Sequence, residues 1–87
     1  METNTANQKR VVYALLYTTQ EKESYIHGIF EIYASNQSAI CAMNRTAAGL
    51  KDLGFAITPC KNPARIILTR EADGRITNLY VEPKILY

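Results

Sequence analysis

One histidine, two cysteines and eight carboxylates are the side chains of this 87-residue sequence that could do acid–base, nucleophilic or metal chemistry. Any serine- or cysteine-based mechanism would need His27 as its base. The neighbours of His27 are aliphatic and aromatic, and no strand-turn-helix pattern presents Cys41, Cys60 or a serine as an activated nucleophile. As metal ligands, residues 27, 41 and 60 lack the closely spaced pairs that build a zinc site. Glu21 and Glu23 share one polar stretch, Glu71 and Asp73 another, and Glu31 stands alone, so these carboxylates read as solvated turns and edges. Gly28, Gly49, Gly54 and Gly74 never cluster into a phosphate-cradling loop. The reading is of a protein that is not an enzyme, with no catalytic residue, cofactor or metal.

The feature above background is aromatic. The chain has six tyrosines, and Tyr13, Tyr17, Tyr25, Tyr33 and Tyr80 fall in segments with strand character. The stretch SYIHGIFEIYAS, residues 24–35, divides at period two into an apolar set (Ile26, Gly28, Phe30, Ile32, Ala34) and a mixed one (Tyr25, His27, Ile29, Glu31, Tyr33). The first suits a core. The second is too apolar for a solvated face and holds a charge that a core would exclude.

The elements that position these residues follow from periodicity and punctuation. Residues 1–8 are polar and aperiodic, which predicts a flexible arm, and residues 9–87 form one domain. Arg10–Thr18 is apolar on both faces, as a central strand must be. The polar stretch TTQEKES leads into a second strand, Tyr25–Ala34, which pairs antiparallel with the first. Ser35 or Asn36 can cap a helix, in which Ile40, Met43, Ala47 and Leu50 form an apolar stripe at spacings of three and four. Gly54 fits a left-handed C-terminal cap with Phe55 folded back, and Gly49 inside the helix suggests close approach to a strand. Asp73-Gly74 predicts a two-residue hairpin turn, setting Leu68 opposite Leu79, Ile66 opposite Val81, Ile67 opposite Tyr80 and Arg65 opposite Glu82. Pro83 is expected to stop the ladder. The fold class is therefore α+β, a two-layer ββαββ sandwich with a four-stranded, largely antiparallel sheet and one helix on one face.

Composition narrows the partners. The net charge is +2 and apolar residues make up 47% of the chain, ordinary values for a folded domain. A compact chain of this length would have a radius of gyration of about 12 Å. No run approaches the ~20 apolar residues of a membrane span, so no membrane partner is expected. Two cysteines are too few for a secreted disulfide scaffold and read as cytosolic thiols, placing the protein in the cytoplasm. The size suits a small accessory protein of a bacterium or phage.

If one helix covers one face, the uncovered face gathers Tyr25, His27, Ile29, Glu31 and Tyr33 with Ile67 and Tyr80. Such a patch predicts a protein-binding module, whose partner is another polypeptide and most simply a second copy in a homodimer. The alternative is a stacking platform for single-stranded nucleic acid, with Arg65, Arg70 and Arg75 supplying charge. Against it, Glu31 and Glu82 would repel a phosphate backbone, no stretch of basic residues exceeds Lys9-Arg10, and no aromatic RNA-binding motif is present.

Overall fold

The computed structural model describes residues 10–58 and 60–86. The arm expected over residues 1–8 and the terminal Tyr87 lie outside them. The chain runs β1 (Arg10–Glu21), β2 (Ser24–Tyr33), α1 (Asn36–Asp52), β3 (Ala56–Thr58), β4 (Arg65–Arg70) and β5 (Arg75–Leu86). All strands join one antiparallel sheet in the order β2-β1-β5-β4-β3. The class is α+β, with five strands rather than four: β3, only three residues long, pairs Ile57 with Leu68 in a segment too short to show a period.

β1 is an interior strand, paired with β2 on one side and β5 on the other. It is also longer than expected. Thr18 and Thr19, β-branched and at home in a pleated sheet, carry the strand through to Glu21 and reduce the connection to Lys22-Glu23. Lys22 takes φ 55°, the positive value that a two-residue hairpin needs at its first central position.

The helix is capped at both ends as its sequence suggests. The Ser35 hydroxyl accepts from the Ser38 amide at 3.1 Å. At the other end Gly54 lies at φ 96°. Its amide donates to Lys51 at 3.0 Å and that of Phe55 to Leu50 at 3.1 Å, closing a Schellman cap that folds Phe55 into the core. Gly49 is exposed, and a Cβ built there would meet nothing within 4 Å. It marks no close approach; that role belongs to Ala39, Ala42 and Ala47, whose small side chains bring the helix down on the sheet.

The β4–β5 hairpin departs from its expected register. Its loop is Glu71–Gly74, four residues, so Ile66 faces Leu79 and Leu68 faces Thr77, a shift of two residues that leaves each side chain on its face. Gly74 is at φ 69°, but Asp73 is not in the left-handed region. Its carboxylate instead accepts from the Arg75 amide at 3.2 Å and from Arg70, which organises the wider loop. Arg65 accordingly faces Tyr80, not Glu82, and Glu82 pairs with Lys84 at 3.0 Å. Nor does Pro83 end β5, which continues to Leu86 against the start of β1. The last β4 residue paired with β5 is Arg65, opposite Tyr80, so by Pro83 that side of β5 is an edge and no ladder bond is lost.

The core lies between α1 and one face of the sheet, where Leu15, Leu68, Leu79 and Val81 meet Ala39, Met43 and Phe55. Tyr13, Tyr17, Tyr33, Ile40, Leu50 and Ile66 pack at its margin. The radius of gyration is 15.8 Å, larger than a compact chain of this length would show. One helix over a wide sheet with two 12-residue strands leaves the second layer incomplete.

Candidate interaction surface

Directly opposed residues in an antiparallel ladder share a face, so the registers assign every strand side chain. On the helix side lie Leu15 and Tyr17 of β1 with Val81 and Leu79 of β5. The opposite, uncovered face carries Ala14, Leu16 and Thr18 of β1 with Glu82, Tyr80 and Asn78 of β5, and Arg65 and Ile67 of β4.

β2 is divided between the two faces by a β-bulge. Ile29 opposes Leu16 and Glu31 opposes Leu15, leaving Phe30 as the extra residue. Up to Ile29 the alternation holds: Tyr25, His27 and Ile29 share the uncovered face, and Ile26 and Gly28 turn to the helix side. After the bulge the phase reverses. Ile32, opposite Ala14, moves to the uncovered face, while Glu31 and Tyr33 move to the helix side, Tyr33 against the core margin. Of the seven residues expected to form one patch, Tyr25, His27, Ile29, Ile67 and Tyr80 share a face; Glu31 and Tyr33 do not join them. A single inserted residue explains the correction, because period two makes a slip of one flip every later side chain.

The set expected to be buried is the larger surprise. Ile26 and Phe30 face the helix side yet remain 57% and 50% exposed, and on the other face Ile29, Ile32 and Tyr25 are 55%, 52% and 62% exposed. The cause is position: α1 lies chiefly over β1 and β5, and β2 is the outermost strand. β2 thus presents apolar side chains to water on both faces and, among the described residues, has no strand paired along its outer side. Phe30 rests on Tyr17, with ring centroids 4.5 Å apart. Tyr17 lies across Gly28, where a Cβ would come within 2.8 Å of the phenol oxygen. Glycine at 28 is what lets that ring lie flat on the strand. A shallow groove lined by Tyr17, Thr19, Ser24 and Ile26 runs beside it.

Toward β4 the surface becomes polar and internally paired. Arg70 donates to Asp73 at 2.8 Å, stacks over the Phe55 ring at 4.6 Å, and reaches the Leu53 carbonyl at 3.2 Å. The hydrogen bond from Arg70 holds the Asp73 carboxyl at about 2, below its ordinary value, and the same bond raises the Arg70 pKa. Arg75 donates to Glu21 at 2.7 Å. Both arginines are on the helix side, away from Tyr25 and Tyr80 and already neutralised. Arg65, on the uncovered face, donates to Asn78 at 3.3 Å.

Among the described residues no three His, Cys, Asp or Glu side chains gather as a metal site would require, and no helix is long and apolar enough to cross a membrane. Cys41 and Cys60 are exposed free thiols. The residues that sequence reasoning missed are Ile26, Phe30 and Ile32. Their apolarity was plain; what hid them was that the sequence does not say which strand is outermost. Comparison with family models, curated proteins and solved structures gives no significant match to this chain.

Proposed function

We propose that this protein is a non-enzymatic binding module whose partner is another polypeptide, seated on β2 and the adjoining uncovered face at Tyr25, His27 and Ile29. The observation that carries the reading is the exposure of five large apolar or aromatic side chains on one ten-residue strand. A contiguous apolar surface of this kind is characteristic of interaction sites, where aromatic and aliphatic anchors supply most of the binding energy. Ile67 and Tyr80 extend the surface inward, half-buried, and Glu31 sits at its helix-side margin. Single-stranded nucleic acid fits less well, since two of the three arginines that would meet phosphate are paired on the other side of the sheet.

The test is selection of a displayed library of extended peptides against the wild type and against Ile29→Asp, alongside titration with a fluorescent single-stranded oligonucleotide. The reading expects selected peptides, or the protein itself, to lose at least about 1 kcal/mol of affinity to Ile29→Asp. Oligonucleotide binding that falls steeply between about 50 and about 200 mM salt, and falls again on Tyr25→Ala, would replace the polypeptide with nucleic acid.

A further inference from the structure

We infer that the polypeptide covering β2 is a second copy of this chain, paired β2 to β2 antiparallel across a two-fold axis at Ile29, so that two five-stranded sheets become one of ten strands. The inference rests on the reading of β2 as the working surface and adds what covers it and in which geometry.

Three features lead to it. First, the two edges of the sheet are treated differently. β3 is three residues long and followed in sequence by Pro59, whereas β2 is ten residues long and contains no proline, lysine or arginine. Short strands, prolines and lysines are the devices that keep sheet edges from pairing. The β3 edge is short and runs into a proline; β2 has one bulge and one charge, Glu31, but neither shortness, proline nor lysine.

Second, β2 is exposed on both faces. A partner lying flat on the uncovered face would shelter Ile29 and Ile32 but leave Ile26 and Phe30 in water. Only a strand that continues the sheet covers both sets while satisfying the unpaired backbone groups.

Third, the strand is complementary to itself when reversed. With Ile29 meeting Ile29 of the second copy on the uncovered face, Gly28 stands opposite the second copy's Phe30 on the helix side. That ring then enters beside Tyr17, and the 4.5 Å contact of Tyr17 with Phe30 becomes a four-ring cluster across the axis. Repeating the bulge on this outer ladder keeps faces matched, with Ile26 opposite the second copy's Tyr33 and His27 opposite its Ile32. Each Glu31 falls beside the other copy's Gly28 on the helix side, whereas a parallel pairing in register would set Glu31 beside Glu31. The half-exposed side chains of Tyr25, Ile26, Ile29, Phe30 and Ile32 offer on the order of 500 Å² per copy, so pairing can bury at most about 1,000 Å², the lower bound of a specific interface.

The experiment combines solution mass with site-directed cross-linking. In a Cys41→Ser, Cys60→Ser background, Ile29→Cys and Tyr80→Cys are each treated with a short bis-maleimide. Both residues oppose Leu16 and so lie at one level of the sheet. With strands ~4.8 Å apart, the two Ile29→Cys sites of an edge-paired dimer lie about 5 Å apart and the two Tyr80→Cys sites about 24 Å apart, beyond a linker spanning about 10 Å. The inference expects a doubled mass at near-millimolar concentration, cross-linking at Ile29→Cys alone, and a dimer weakened at least tenfold by Ile29→Asp with the helical circular dichroism unchanged. Cross-linking at Tyr80→Cys without Ile29→Cys would mean that the copies meet face to face, overturning the strand pairing and sparing the proposed function. A monomer at every concentration would overturn the inference outright, and the peptide selection would then decide the function by itself.

Discussion

Replacing Gly49 by alanine should make this protein more stable. The residue lies inside α1, three positions before its end, exposed and with no neighbour within 4 Å of where a Cβ would stand. Alanine therefore adds no clash and removes the backbone freedom that glycine loses on folding, worth about 0.8–1 kcal/mol in a helix interior. Little of that should be lost to context, because no described residue lies within 4 Å of the added methyl group. For a domain of this size a gain near 1 kcal/mol corresponds to a rise in melting temperature of about 4–8 °C. Urea melts followed by far-ultraviolet circular dichroism, at one fixed protein concentration because association shifts apparent stability, should show a higher midpoint with an unchanged slope. A midpoint that stays put or falls would refute the reasoning: something would then have to press on the helix at Gly49, and α1 would belong to an interface.

The turn of the β4–β5 hairpin makes two further predictions. Because Arg70 holds the Asp73 carboxyl at about 2, against 3.8 ordinarily, the unfolded chain binds more protons than the native one between those values. The contribution of this carboxylate is complete above about pH 4 and is lost as pH falls toward 2; Asp73→Asn should remove that step from the pH dependence of unfolding, and an unchanged profile would show that the pairing is not maintained. Gly74→Val, forced to φ 69°, should cost about 1–2 kcal/mol and Gly74→Ala somewhat less; equal melting curves for Gly74→Val and wild type would place the strain elsewhere. Finally, Cys41 and Cys60 should both react with a thiol reagent in the native protein, since both are exposed and unbridged; an intact mass lower by two hydrogens would contradict this.

The parts of the fold that could be read in advance are those whose signals are local. Ser35 and Gly54 announce their caps through side-chain and backbone chemistry confined to a single turn, and the spacing of Met43, Ala47 and Leu50 is a property of one helix. The apolar faces of β1 identify a central strand for the same reason. What could not be read depends on relations between distant segments. The bulge at Phe30 is decided by how β2 meets Leu15 and Leu16, so Glu31 and Tyr33 could not be placed from alternation alone. The four-residue loop before Arg75 depends on Arg70 reaching Asp73, which outweighs the preference of Asp-Gly for a tighter turn. Ile26, Ile32 and Phe30 are of types that suit a core. Their exposure follows from strand order, which puts β5 rather than β2 at the centre beside β1.

The most direct measurement is amide hydrogen exchange compared at dilute and near-millimolar concentration, residue by residue. Protection should rise on concentration at Tyr25–Tyr33, while the other edge, Ala56–Thr58, and the outer face of α1 exchange as before. Protection that rises at Ala56–Thr58 or along the helix instead, with β2 unchanged, would contradict the claim that β2 is where this protein meets its partner.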